Sequence, residues 1–224
     1  MNFKGNYRKI GDLDVSALKS KALELTEDDW AENAHRQKSF KAHRNTKSIP
    51  LIFDEDFRHS NPTIRPMFER FEAELAPIYR AVRETFDEAN EAGRLQTKVG
   101  SCYAIRTLLA RLDPGGFIDP HMDRNFSLTH AHRIHVPIKT HADVEFSVGG
   151  EAKNLSQGEI WEINNRRMHA VKNRSPIDRI HLIIDWVIPG ERCCCSKHTH
   201  PLTPCSPKAC IETDYALEPC GCLA

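Results

Sequence analysis

Four residues in the second half of the chain have side chains and spacing suited to metal and anion chemistry. His121 and Asp123 stand two positions apart, and His169 and Arg179 follow later in the chain. Two imidazoles and one carboxylate on one face of a metal ion leave the other face open, as expected of Fe(II) oxygenases and unlike closed structural zinc sites. The set therefore predicts a non-haem Fe(II) site, with Arg179 as the counter-ion of a dicarboxylate cosubstrate.

The sequence around the first two residues predicts how they meet one ion. Alternate side chains of a strand share a face, so His121 and Asp123 would point the same way. The turn signal Asp-Pro-Gly-Gly at residues 113–116 predicts a hairpin after a strand over Cys102 to Leu112. The pair would then lie just beyond that hairpin.

Two later segments would bring in the other residues. Residues 158–164 are rich in β-branched and aromatic types, and the turn at residues 164–167 would direct His169 back to the pair. The following run, Arg179 to Ile188, alternates apolar residues with Arg179, His181 and Asp185. Arg179 is thus expected on a polar strand face near His169.

The residues up to about 97 predict helices. A short amphipathic helix is expected over Asp14 to Leu25, and a second is expected to begin at Asn61-Pro62. An apolar stripe at three- and four-residue steps supports the second helix; it consists of Phe68, Phe71, Leu75, Ile78, Val82 and Phe86. We expect one domain over residues 1–190, with a helical part (1–97) outside a β-core (98–190).

The motifs of the β-core resemble a known family. Residues 102–189 resemble the aspartyl/asparaginyl β-hydroxylase family and its bacterial relatives, which include the L-proline cis-hydroxylases. The resemblance is carried by the motifs Pro-His-Met-Asp (120–123), Arg-Ile-His (133–135), Gly-Glu-Ile-Trp (158–161), Met-His (168–169) and Asp-Arg-Ile-His-Leu-Ile-Ile-Asp (178–185). It implies an α+β fold with a double-stranded β-helix (cupin or jelly-roll) core, N-terminal helices packed outside, and dependence on Fe(II) and 2-oxoglutarate.

The resemblance also implies roles for individual residues. His121, Asp123 and His169 would bind iron, and Arg179 would pair with the distal carboxylate of 2-oxoglutarate. His135 would lie beside the cosubstrate. Arg133 would meet a carboxylate of an amino-acid substrate, although an arginine on a strand is equally suited to pairing with a neighbouring acid.

The chain departs from the family's animal enzymes in three ways. They lack the acidic ligand that Asp123 supplies here, as it does in the proline hydroxylases. A serine that assists the distal carboxylate in the animal enzymes falls near Ala110 here. The segment Arg124 to His132, with His130 and His132, is slightly longer and stands where substrate selectivity would be decided.

Composition argues against several other classes of protein. Lys and Arg number 31 and Asp and Glu number 31, so no basic excess favours nucleic acid or anionic membranes as partners. No apolar run approaches the roughly 20 residues of a membrane span. The N-terminus lacks the apolar stretch of a signal peptide, which favours the cytoplasm.

Seven of the eight cysteines lie in the last 34 residues, which we expect to form a separate tail (191–224). They are Cys193, Cys194, Cys195, Cys205, Cys210, Cys220 and Cys222. Such a cluster without a secretion signal favours metal binding or redox activity over a disulfide framework. A structural zinc ion, a disordered or partly oxidised tail and a redox switch all remain open.

Three functions from different classes fit these features. The leading one is a 2-oxoglutarate-dependent dioxygenase that uses O2 to hydroxylate an amino acid, either free or as an aspartyl- or asparaginyl-type residue of a peptide or protein. The second is a cupin-like metal-binding sensor without turnover. The third is a zinc-binding interaction protein that acts through its tail. Asp123 together with Arg179 favours the first, because a sensor has no need of a cosubstrate counter-ion.

Overall fold

The computed structural model describes residues 5–32, 45–55, 62–91, 103–123, 126–129 and 131–187 of the 224-residue chain. The seven cysteines of the tail, the proposed domain boundary at residue 190, His130 and Asn61 lie outside the described residues. Within them, no helix is long and apolar enough to cross a membrane.

The described strands form two antiparallel sheets. The major sheet has seven strands in the order β1-β9-β6-β11-β4-β2-β3, and the minor sheet has four in the order β5-β10-β7-β8. The strands are β1 Tyr7–Asp12, β2 Thr46–Phe53, β3 Thr63–Ile64, β4 Tyr103–Leu112, β5 Phe117–His121, β6 His132–Lys139, β7 Val144–Val148, β8 Glu151–Lys153, β9 Glu159–Ile163, β10 His169–Asn173 and β11 Arg179–Val187. The helices are α1 Ser16–Leu23, α2 Glu27–Ala31, α3 Glu72–Glu91 and α4 Phe126–Thr129, with a 3-10 helix at Pro66–Arg70.

The eight strands from β4 to β11 form the double-stranded β-helix predicted for the core. The chain crosses repeatedly from one sheet to the other, so strands far apart in sequence become neighbours, as β4 and β11 do. An apolar layer packs between the two sheets; its buried members are Leu112, Val144, Phe146, Val148, Leu155, Ile163 and Val171. The fold class predicted from the sequence is confirmed.

Helices α1 to α3 pack on the other face of the major sheet. The predicted stripe of α3 is confirmed, because Phe71, Leu75, Ile78, Val82 and Phe86 are at most 1% exposed. They pack in one cluster with the even-numbered side chains of β6 and β11. The odd-numbered side chains of those strands therefore face the space between the sheets.

Two local predictions from the sequence were wrong. The turn at residues 113–116 forms, with Gly115 at a φ of +66°, but it joins strands of different sheets rather than a hairpin. The second helix does not begin at Pro62, because Thr63 and Ile64 pair with Phe53 and Ile52 of β2. It begins at Glu72, after the 3-10 helix.

The division of the chain at residue 97 also fails to follow the sheets. β1 pairs with β9 and β2 pairs with β4, so N-terminal strands extend the major sheet on both sides. The β-core accordingly includes segments well before residue 98.

Candidate metal and cosubstrate site

The three predicted iron ligands lie together at one end of the minor sheet. His121 is the last residue of β5, His169 is the first residue of β10, and the two are paired across the sheet. Asp123 follows β5 by two residues. One ligand atom from each of the three lies within 4.8 Å of the others, and the two imidazole rings are 4.2 Å apart. His121 and His169 are far apart in the sequence, and the antiparallel pairing of β5 with β10 brings them together.

Backbone carbonyls orient both imidazoles. The Nδ1 atom of His121 lies 2.7 Å from the carbonyl oxygen of Asp119, and Nδ1 of His169 lies 3.0 Å from that of Arg167. A carbonyl oxygen only accepts, so Nδ1 carries the proton and Nε2 keeps its lone pair for a metal. Burial lowers the pKa of His169 to about 4, which keeps this ring neutral at neutral pH.

Asp123 is held by Asn165 and Arg133. Its backbone N–H donates to the carbonyl oxygen of Asn165 over 3.1 Å. The Asn165 amide nitrogen donates back to Oδ2 of Asp123 over 3.2 Å and to the carbonyl oxygen of Leu128 over 2.8 Å. Asn165 is fully buried. It ties the carboxylate to the turn before β10 and to α4.

Arg133 is buried on β6 and bridges two carboxylates. Its Nε and Nη2 donate to the two oxygens of Asp185 over 2.7 and 2.8 Å, and its Nη1 donates to Oδ2 of Asp123 over 2.5 Å. The two carboxylates raise the pKa of Arg133, against the opposing effect of burial. A bidentate pair of this kind fixes the plane of the guanidinium group.

The row of charges continues across the major sheet. Asp185 on β11 is paired with Arg133 on β6 and with Arg106 on β4. The Arg106 side chain forms an ion pair with Asp54, whose other oxygen accepts from the hydroxyl of Ser127 in α4. Burial raises the pKa of Asp54. We call Arg133, Asp185, Arg106 and Asp54 the charge row, and it meets the three ligands where Arg133 pairs with Asp123.

Arg179 lies in a cavity that also reaches two of the three ligands, His121 and His169. Histidines 121, 135 and 169 line this cavity together with Arg133 and Arg179. Arg179 is 2% exposed, and no described acidic side chain forms an ion pair with it. Its Nη2 donates to Nδ1 of His181 over 2.5 Å. Burial lowers the pKa of Arg179 to about 9, so the group is a cation at neutral pH.

His135 and His181 are neutral neighbours of this arginine. Burial lowers the pKa of both well below 6.5, and the charge of Arg179 acts in the same direction. Their Nδ1 atoms are 3.4 Å apart. Both rings are therefore uncharged at neutral pH, and neither takes the place of an anion beside Arg179.

The residues present fit both the metal and the cosubstrate. Two neutral imidazoles and a carboxylate, oriented from behind by hydrogen bonds, are the donor set of a non-haem Fe(II) site. A buried guanidinium without a carboxylate partner is costly unless an anion is bound. A dicarboxylate keto acid supplies one carboxylate for Arg179 and a second group for the metal.

The sequence predicted most of these residues but missed some. Asn165 was assigned only to a turn, and Ser48 on β2, which lines the cavity, was not singled out. Asparagine in a turn gives no signal of a partner on another segment. His132 faces α3, away from the cavity, where its Nδ1 bonds Glu162 over 2.6 Å and its ring packs on Phe86. A role of His132 in substrate selectivity is therefore not supported.

Comparison with known proteins found a family model that matches the segment containing the three predicted iron ligands and Arg179. Residues 83–189 match the family model described as Aspartyl/Asparaginyl beta-hydroxylase, which confirms the resemblance inferred from the sequence. No curated protein matches the chain.

Solved structures match the chain at low identity, and one of them reaches a TM-score above 0.5. One is a prolyl hydroxylase from Trichoplax adhaerens in complex with a hypoxia inducible factor oxygen degradation domain peptide fragment; it is 12% identical, covers 81% of this chain and 83% of that chain, and has a TM-score of 0.53. Another is an oxidoreductase of the 2OG-Fe(II) oxygenase family from Burkholderia pseudomallei, with 15% identity, 63% and 67% coverage, and a TM-score of 0.48.

Proposed function

We propose that this chain, whose residues 83–189 match the aspartyl/asparaginyl β-hydroxylase family, is an Fe(II)- and 2-oxoglutarate-dependent dioxygenase that hydroxylates an amino acid, free or within a peptide or protein. The observation that carries the proposal is Arg179, a buried cation without a described acidic partner, in the cavity that is also lined by His121 and His169 of the three-ligand cluster. A keto acid with a distal carboxylate satisfies Arg179 through that carboxylate and the metal through its keto-acid group.

Each residue has a distinct task in the proposed reaction. His121, Asp123 and His169 bind the metal, and Arg179 binds the distal carboxylate of 2-oxoglutarate with His135 beside it. Bound Fe(II) and 2-oxoglutarate supply the oxygen chemistry, in which a substrate C–H becomes C–OH while O2 and 2-oxoglutarate yield succinate and CO2.

Arg133 remains our candidate for the substrate carboxylate. Three of its five N–H donors are used by Asp185 and Asp123, which leaves two for a further acceptor. Because Asp185 holds the guanidinium in place, those two donors have a fixed direction. This supports an amino-acid substrate with a free or side-chain carboxylate.

Succinate release tests the proposed activity. We expect protein supplied with Fe(II), O2 and 2-oxoglutarate to form succinate slowly alone and faster with the right substrate. A screen of free amino acids and of Asp- or Asn-containing peptides, read by mass for the gain of one oxygen, would identify that substrate. Well-folded, metal-loaded protein that binds 2-oxoglutarate without forming succinate under any of these conditions would favour the sensor instead.

Arg179→Ala tests the cosubstrate site separately. We expect it to raise the 2-oxoglutarate concentration needed for half-maximal succinate formation by about 100-fold, in line with roughly 3 kcal/mol for a buried charge-assisted pair. Metal content should stay at the parent level. The matched control is Arg174→Ala, an exposed arginine bonded to Glu145, which should behave like the parent.

Zinc or redox chemistry in the cysteine-rich tail is a separate proposal. Truncation after Gly190, with zinc and iron measured before and after, would tell whether the tail holds an ion of its own. The cytoplasmic location and the absence of nucleic-acid and membrane partners likewise stay predictions from composition.

A further inference from the structure

Ser48 is a buried serine that the sequence did not single out as a site residue. It lies on β2, is 6% exposed, and lines the same cavity as Arg179. No described residue hydrogen-bonds with its hydroxyl group. The hydroxyl group opens onto the cavity, so it can donate a hydrogen bond to a polar ligand bound there.

The strand register explains why this hydroxyl reaches the cavity. Ser48 is paired with Ala110 on β4, and Ala110 is paired with His181 on β11. The next residues of β4 on the same face are Leu108 and Leu112. Their larger side chains would cover the side chain of a residue paired with them on β2. Only a methyl group at Ala110 stands between Ser48 and His181 in this row.

The same row lies at the Arg179 end of the cavity. His181 accepts a hydrogen bond from Arg179 over 2.5 Å, so the row that contains Ser48 is adjacent to the guanidinium group. The charge row, which includes Arg133 and Asp185, lies further along the same strands. A ligand group bound near Ser48 is therefore the one that Arg179 binds, rather than the one that reaches the metal.

We propose that Ser48 binds the distal carboxylate of 2-oxoglutarate together with Arg179. The inference rests on the proposed function and adds a binding residue from a strand outside the segment that matches the family. A carboxylate offers about four acceptor positions, and a guanidinium fork uses two of them. The hydroxyl of Ser48 donates to a third position.

Ser48→Ala is the direct test. A hydrogen bond to a charged group contributes about 1.5–3 kcal/mol, so we expect about tenfold or greater weakening of 2-oxoglutarate binding. Binding should be measured by calorimetry on Mn(II)-loaded protein without oxygen, and also as KM in the succinate assay. The rate at saturating 2-oxoglutarate should stay at the parent value, because the hydroxyl does not touch the reacting carbon.

The strand register suggests a second substitution that should restore 2-oxoglutarate binding. A merely structural role of Ser48 would show no such recovery. In Ser48→Ala with Ala110→Ser, the hydroxyl moves to the neighbouring strand of the same row, and we expect at least half of the lost binding free energy to return. Ser147→Ala is the control, because that hydroxyl bonds the carbonyl oxygen of Ala170 on the minor sheet. It should leave 2-oxoglutarate binding unchanged.

The outcomes separate this inference from the proposed function. Parent-like binding in folded Ser48→Ala, with Arg179→Ala strongly impaired, would overturn the role of Ser48 and leave the dioxygenase proposal intact. Weakening without any rescue by Ala110→Ser would also count against a shared carboxylate site. Absence of 2-oxoglutarate binding in the parent would overturn both.

Discussion

The two sheets hold their parts of the site by different means. In the minor sheet, His121 and His169 are each oriented by a carbonyl group two residues earlier in the chain. In the major sheet, Arg133 is oriented by Asp185, which is 52 positions away. One half of the site is therefore organised by local hydrogen bonds, and the other by charges that only the strand order brings together.

This difference separates binding from stability. The imidazoles face the cavity, and each is hydrogen-bonded to a backbone carbonyl group of its own segment, two residues away. The charge row is almost completely buried, and each charge depends on its neighbour to offset desolvation. We expect changes in the minor sheet to abolish metal binding at little cost in stability, and changes in the charge row to destabilise the fold.

The largest effect on activity is expected from His169→Ala in the minor sheet. Loss of one of three metal ligands should lower Fe(II) affinity and succinate formation by more than the roughly 10–100-fold seen when a group behind a ligand is lost. Metal content and succinate release measure this, and thermal unfolding of the metal-free protein should change little. His141→Ala, at an exposed position, is the control. Parent-like iron content in His169→Ala would show that the ligand assignment is wrong.

The largest effect on stability is expected from Asp185→Asn in the major sheet. It removes the bidentate partner of buried Arg133, and breaking a buried pair costs about 3–5 kcal/mol of unfolding free energy. Urea denaturation measures the change. Glu145→Gln, which breaks pairs with exposed Lys172 and Arg174, should cost no more than about 1 kcal/mol. Equal losses in the two variants would contradict the contrast between the sheets.

A smaller effect is expected from pH, again in the major sheet. His135 and His181 have pKa values well below 6.5 in the fold, so the unfolded chain takes up more protons as the pH falls below about 6.5. The stability present above that pH is lost on acidification, by up to about 1.4 kcal/mol per pH unit for each histidine.

Urea denaturation of metal-free protein at pH 7.5, 6.5 and 5.5 measures this dependence. In His181→Asn the amide oxygen still accepts a hydrogen bond from Arg179. Below pH 6.5, the change of unfolding free energy with pH should be smaller than in the parent by the contribution of one histidine. An unchanged slope in His181→Asn would show that His181 does not titrate on unfolding.

Several elements were predictable because their signals are local. The apolar stripe of α3 follows helical periodicity, and strands β4, β9 and β11 were found within one or two residues from alternation and β-branched content. The misplaced start of α3 has a tertiary cause, since residues 63–64 became a strand only because β2 lies beside them. The supposed hairpin failed for the same reason: a turn sequence specifies a reversal but not the sheet that receives the next strand.

The sequence by itself determined the chemistry of the metal half of the site, because the residue types at positions 121, 123 and 169 restrict what they can bind and short-range hydrogen bonds orient two of them. Only the tertiary structure decided the partners of Arg133, the placement of Ser48 in the cavity of Arg179, and the role of Asn165 behind Asp123. Those contacts join segments that are remote in the chain, and they depend on strand order and register, which no local pattern of residues encodes.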